Sequence, residues 1–139
     1  MSVARAYAVS AILWDGTFFV AGGDLPSTAD GELFDGSPWI FYPAATGYPG
    51  GSMSANHGRG TAISVLTNET VTIVGGLDLN GNITNAVDIY DRAVGFELGN
   101  PLNLPRADHA ASLLNNGQVL VTGGTDSTGA DLSSAELLQ

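Results

Sequence analysis

Three short apolar runs each end in a pair of glycines: Phe18-Phe19-Val20-Ala21-Gly22-Gly23, Val71-Thr72-Ile73-Val74-Gly75-Gly76 and Val119-Leu120-Val121-Thr122-Gly123-Gly124. The pairs begin at Gly22, Gly75 and Gly123, spacings of 53 and 48 residues. A period near 50 predicts a repeat architecture. The runs are rich in β-branched and aromatic residues and apolar at successive positions, which predicts strands covered on both faces. Upstream of each lies a small-residue and apolar segment, at Ala8–Leu13, Thr61–Leu66 and Ala110–Leu114. The connecting turns fall at Trp14-Asp15-Gly16, Thr67-Asn68-Glu69 and Asn115-Asn116-Gly117. Asp-Gly and Asn-Gly suit two-residue hairpins because they accept a positive φ. Downstream, a polar loop leads to a third strand at Glu32–Asp35, Val87–Asp91 and Ala135–Leu138, and Trp39 and Phe96 mark a fourth in the first two units. No segment carries a capped 3.6-residue period, so an all-β chain is expected.

The units align without gaps. An offset of 48 places Gly58–Asp91 on Arg106–Gln139, with Leu66 on Leu114, Val71 on Val119, Gly75 on Gly123 and Asp88 on Glu136. An offset of 101 places Arg5 on Arg106, Leu13 on Leu114, Gly16 on Gly117, Val20 on Val121 and Gly22 on Gly123. Four short antiparallel strands per unit correspond to one propeller blade.

On these residues the chain resembles kelch repeats of the bacterial type. The resemblance is carried by the runs before the glycine pairs and by Arg106-Ala107-Asp108-His109-Ala110-Ala111 leading into a first strand. The strands holding Asp88 and Glu136, and the aromatic pair Tyr90 and Phe96, add to it. It implies an all-β, kelch-type β-propeller segment of about three four-stranded antiparallel blades, the last incomplete. Blade 1 is expected at about residues 4–43, an inserted Gly- and Pro-rich loop at 44–56, blade 2 at 57–104 and blade 3 at 105–139. The glycine pairs Gly22-Gly23, Gly75-Gly76 and Gly123-Gly124 are expected to be structural. Blades converge on the axis, a side chain there would clash, and glycine permits a sharp exit from the strand. Two departures stand out: Trp39 follows Phe34 by only five residues, and Gly58 stands where the third unit has Arg106.

Charge narrows the partners. The 139 residues hold 14 acidic and four basic side chains, all of the latter arginine, for a net charge of -10. Such a balance repels phosphate backbones and anionic lipid, so nucleic acid and membrane insertion are not expected. Cysteine is absent, which removes disulfides, Cys-ligated metal and a thiol nucleophile. No apolar run reaches about 18 residues, and the N-terminus lacks the pattern of a signal peptide. Compartment is not readable, with an extracellular or cell-surface setting favoured over the cytoplasm. Hydrophobic content of 44% is enough for a packed core.

Predicted strands numbering four, four and three fall short of the roughly four to eight blades that close a propeller. The expected partners therefore include further blades or further copies of the chain, because an open arc leaves apolar faces and a strand edge in water.

Arg5, Arg59 and Arg106 lie at or just before the first strands. With Tyr7, His57, Asp108 and His109 they are expected at one mouth of a central channel, as a polar ligand surface. The bland alternative is that the arginines bridge to Glu32, Asp88 and Glu136; recurrence in several blades favours it, because a ligand site is usually asymmetric. His57 and His109 are the only histidines, and nothing in their spacing requires a metal. Asp78, Asn80 and Asn82 alternate oxygen side chains around Gly81, as at the start of a calcium loop, but Ile89 stands where an EF-hand has its bidentate Glu. Asp126–Asp131 occupies the same place in the next unit. Calcium is thus the one cofactor considered, and a hairpin connection built from turn formers is the favoured reading of the segment. Asn68-Glu69-Thr70 and Asn82-Ile83-Thr84 match the glycosylation pattern.

No catalytic residue is assigned. There is no Gly-x-Ser-x-Gly elbow. Asp15, Asp24, Asp35 and Asp108 sit in turn contexts rather than as paired glycosidase carboxylates. Ala4-Arg5-Ala6-Tyr7 is distantly similar to radical-copper oxidases with kelch propellers, but those need a cysteine. The expected function is a non-catalytic binding or structural module engaging a protein or glycan through blade loops and the channel mouth. The alternative is part of a carbohydrate-active or oxidase enzyme whose catalytic residues lie outside this chain.

Overall fold

The computed structural model describes residues Met1, 3–23, 29–36, 41–43, 52–65 and 69–139, with the side chains of Tyr42 and Pro43 excepted. Every described element is a strand. The order is β1 (Val9–Ile12), β2 (Phe18–Ala21), β3 (Gly31–Phe34), β4 (Tyr42–Pro43), β5 (Thr61–Val65), β6 (Thr70–Val74), β7 (Val87–Asp91), β8 (Gly95–Leu98), β9 (Ala110–Leu113), β10 (Val119–Thr122) and β11 (Ala135–Leu138). They form three antiparallel meanders, β1-β2-β3-β4, β5-β6-β7-β8 and β9-β10-β11.

The sheets stack through their first strands, with β1 beside β5 and β5 beside β9. The second sheet therefore has a neighbour on both faces. Val71, Ile73, Tyr90 and Phe96 pack against Val9, Leu13, Phe19 and Leu33 of the first sheet. Val65, Val74 and Val87 on its other face pack against Val119 and Val121 of the third. Phe19 stacks on Tyr90 with ring centroids 4.8 Å apart, so one aromatic pair bridges two sheets. Strand alternation puts Ile73 and Val74 into different core layers, which is why β6 is apolar at adjacent positions.

The glycine pairs end β2, β6 and β10, and all six have positive φ. Their surroundings divide the pair into two roles. A Cβ on the second glycine would strike the segment leading into its own sheet: 3.0 Å from the Ala6 oxygen at Gly23, 2.6 Å from the Gly58 oxygen at Gly76 and 2.5 Å from the Ala107 oxygen at Gly124. A Cβ on the first glycine would strike the segment leading into the next sheet: 1.8 Å from the Asn56 oxygen at Gly22 and 2.5 Å from the Arg106 oxygen at Gly75. At Gly123 the nearest atom is 3.6 Å away, on Leu132.

The structure corrects three expectations. The hairpin turns after β1 and β9 have three residues, not two: Leu13 donates to the Thr17 carbonyl and Gly16 to Leu13, and Leu114 donates to Gln118 and Gly117 to Leu114. Gly16 and Gly117 each close a type I turn at φ 85. The ungapped register also fails before the turn of the second unit. Thr61 pairs with Val74 while Ala110 pairs with Thr122, so first strands are offset by 49 and second strands by 48. One more residue separates the paired ends of β5 and β6, so Val65 rather than Leu66 is the equivalent of Leu114. Finally, the fourth strand of the first sheet is at Tyr42–Pro43, paired with Glu32 and Leu33. Trp39, where it was expected, lies outside the described residues, as do residues 44–51 of the expected insertion.

Candidate binding surface

The corrected register aligns the three segments that lead into the first strands. Arg5, His57 and Arg106 become equivalent, as do Tyr7, Arg59 and Asp108 two residues on. The two sets have opposite fates.

The first set is buried. Arg5 donates from Nη1 to the Gly22 carbonyl at 2.8 Å, from Nη2 to Asp30 at 2.7 Å and from Nε to Glu32 at 3.2 Å. Arg106 repeats this, with Nη1 on the Gly123 carbonyl at 2.7 Å and Nη2 on Glu136 at 2.7 Å. In the second sheet, imidazole replaces guanidinium. His57 Nδ1 donates to the Gly75 carbonyl at 2.6 Å, and Nε2 meets Asp88 Oδ2 at 2.7 Å. Each group ties the carbonyl at the end of the second strand to a carboxylate on the third. Burial raises the pKa of Glu136, but the Asn103 N–H, the Arg106 guanidinium and the Leu104 N–H more than offset it and hold the group below its ordinary value. These side chains pin the sheets and present no charge to a mouth.

The second set is exposed and contiguous. The Arg59 N–H donates to the Tyr7 carbonyl at 3.0 Å, and the Asp108 N–H donates to the Arg59 carbonyl at 2.8 Å. Tyr7, Arg59 and Asp108 have φ of 54, 61 and 54, a left-handed conformation that costs non-glycine residues on the order of 1 kcal/mol each. Tyr7 is 69% exposed. Arg59 and Asp108 pair through two contacts, one of them Nε to Oδ1 at 3.1 Å. The backbone ladder thus sets an aromatic ring, a guanidinium and a carboxylate side by side. Together they offer a stacking face, a fork of donors and a pair of acceptors.

His109 belongs to neither set. Its ring is buried beside Gly75, its Cβ lies beside Gly124, and neither ring nitrogen has a hydrogen-bond partner among the described residues. Burial, and then the Arg106 charge, push its pKa down to about 4, so it stays neutral at pH 7.

The loop at Asp78 is a hairpin turn. Gly81 donates to the Asp78 carbonyl, and the Asn80 and Asn82 N–H groups both donate to Asp78 Oδ1 at 2.8 Å. Asp126 makes the same turn with Thr128 and Ala130. The Asn82 N–H foremost holds the Asp78 pKa below its usual value. Asp78, Asn80 and Asn82 therefore come together around amide donors. No group of three or more His, Asp or Glu side chains converges as a metal site among the described residues. Of the glycosylation-pattern residues, Asn82 is exposed and Asn68 lies outside the described residues. Asp24 lies outside them too, while Asp15 is engaged by Arg92.

Sequence reasoning missed a cleft of about 310 Å³ at the hairpin ends, lined by Trp14, Glu69, Asp91, Arg92 and Ala93. Its signal was a tryptophan in a turn, where a core role is unavailable.

No protein-family model matches this chain, and no curated protein matches its sequence.

Proposed function

We propose that the three sheets are blades of a kelch-type propeller segment, and that the chain is a non-catalytic binding module. Its partner is a protein or glycan taken at the Tyr7–Arg59–Asp108 arc, with further blades or further copies completing the ring. The observation that carries this reading is the divergence between the two aligned positions. Where the side chain is buried, three units keep one role. Two residues later, on strained backbone, they expose three different chemistries. A packing constraint acts alike on each unit, whereas a ligand contact need not. Backbone strain held at exposed, chemically varied positions fits a surface organised for contact.

A glycan array and a displayed random-peptide library, each probed with the intact chain, test the proposal. The expected result is a bound class that is lost on Tyr7→Ala or Arg59→Ala while the melting temperature holds. Binding to neither probe, or binding indifferent to both substitutions, overturns it.

A further inference from the structure

We propose that the open face of the third sheet is the docking surface for the first sheet of a second copy of this chain, giving a closed dimer of six sheets.

Between neighbouring sheets one hydrogen bond recurs in one direction, and a second joins the second sheet to the third. The Arg59 N–H reaches the Tyr7 carbonyl, and the Asp108 N–H reaches the Arg59 carbonyl. The Gly76 N–H reaches the Arg106 carbonyl of the next sheet. Continued one step, this pattern calls for an N–H on the Asp108 carbonyl and a carbonyl on the Gly124 N–H. Neither group has such a partner among the described residues. The first sheet holds the complementary pair: the Tyr7 N–H and the Arg5 carbonyl, likewise without backbone partners there. Donor meets acceptor at both positions when the first sheet of a second copy follows the third sheet of the first.

Steric room agrees. Gly22 and Gly75 are closed in by the segment leading into the following sheet, while at Gly123, with the same positive φ, only the Leu132 oxygen lies within 4 Å among the described residues. The faces also agree. Val119 and Val121 point at the second sheet, so Leu120 points away, in one cross-strand row with Leu137, which is 54% exposed. Phe19 and Ala21 point at the second sheet, so Phe18 points away, in one row with Ile12, which is 63% exposed. By the repeat register, Ile12 and Phe18 are the counterparts of Leu113 and Val119, the row with which the third sheet meets the second. The contact therefore continues an interface that the molecule already makes twice.

Two such contacts related by a two-fold axis leave no open face, and six sheets lie within the roughly four to eight of closed propellers. The docking rests on the observed stacking; only the closed ring rests on the blade reading above.

The test is sedimentation equilibrium of the intact chain across micromolar concentrations. The expected species is a dimer. Ile12→Glu and Leu137→Glu, both at exposed positions, should each weaken it about tenfold or more, because each places a charge in both contacts. Leu98→Glu, at a position 76% exposed on β8, should leave it unchanged. Mixing the Ile12→Glu and Leu137→Glu chains should restore association, since one of the two contacts is then wild type. A monomer, an assembly larger than two, or a dimer indifferent to both substitutions overturns the proposal. A dimer with this sensitivity that binds neither glycan nor peptide fails the binding reading alone.

Discussion

Gly75 and Gly123 are the same residue at the same place in two sheets, with φ of 58 and 66. Around Gly75 the Arg106 carbonyl and the His109 ring leave no room for a methyl group, whereas Gly123 has only a van der Waals neighbour. The difference separates two reasons for one glycine. The left-handed turn out of the strand applies to both. Within one chain, the close approach of a following sheet applies to Gly75, as it does to Gly22, and not to Gly123.

The strongest way to break this comparison is Gly75→Ala. Left-handed strain and a Cβ 2.5 Å from a backbone oxygen should together cost about 3 kcal/mol or more, read as a large fall in the denaturant midpoint. If the loss is no larger than at Gly123, the close approach is not what requires the glycine.

Next in size is Arg106→Met. It deletes a buried cation and leaves the Gly123 carbonyl and Glu136 with fewer donors, which should cost roughly 3 kcal/mol. Asn103 and Leu104 still donate to Glu136, so the loss belongs at the lower end for a broken buried pair.

His109 sharpens the same interface through pH. Its folded pKa of about 4 lies below the ordinary 6.5, so protonation favours the unfolded chain. The stability that its neutral form allows is complete above pH 6.5 and drains away as pH falls toward 4. The loss is on the order of 3 kcal/mol, to which carboxylates held at low pKa, such as Glu136, add at still lower pH. His109→Leu should flatten the melting temperature between pH 6.5 and 4.5; an unchanged slope would assign it to other groups.

The smallest effect on the fold belongs to Gly123→Ala, about 1 kcal/mol from backbone strain alone. Its larger consequence should appear in sedimentation, where the added methyl group obstructs a second copy. A variant that dimerises as well as wild type would leave Gly123 with no neighbour to explain it.

Much of this architecture was legible because the signals were local. β6 and β10 are apolar at successive positions, and each ends where glycine must take a positive φ. β7 and β11 were placed at their observed limits because a turn-rich loop bounds them upstream. The candidate surface was legible only in part. Its residues were named, but Arg59 was grouped with Arg5 and Arg106, which are buried. One extra residue in the β5–β6 turn caused the misgrouping. Small residues around Gly58 and Gly60 fit either register, so no hydrophobic position marked the slip. The chemistry hid it further, since His57 and Arg106 are unlike as residues yet both span a carbonyl and a carboxylate.

By itself, then, the sequence determined an all-β chain of three repeated units, its strand content and the glycines that end the second strands. Those features follow from alternation, turn preference and backbone sterics, which act over a few residues. Only the tertiary structure decided which side of each glycine is crowded, which basic groups are buried and which three side chains stand in line on the surface. Those depend on where one sheet lies against the next, and the stacking is set by contacts between residues about 50 positions apart.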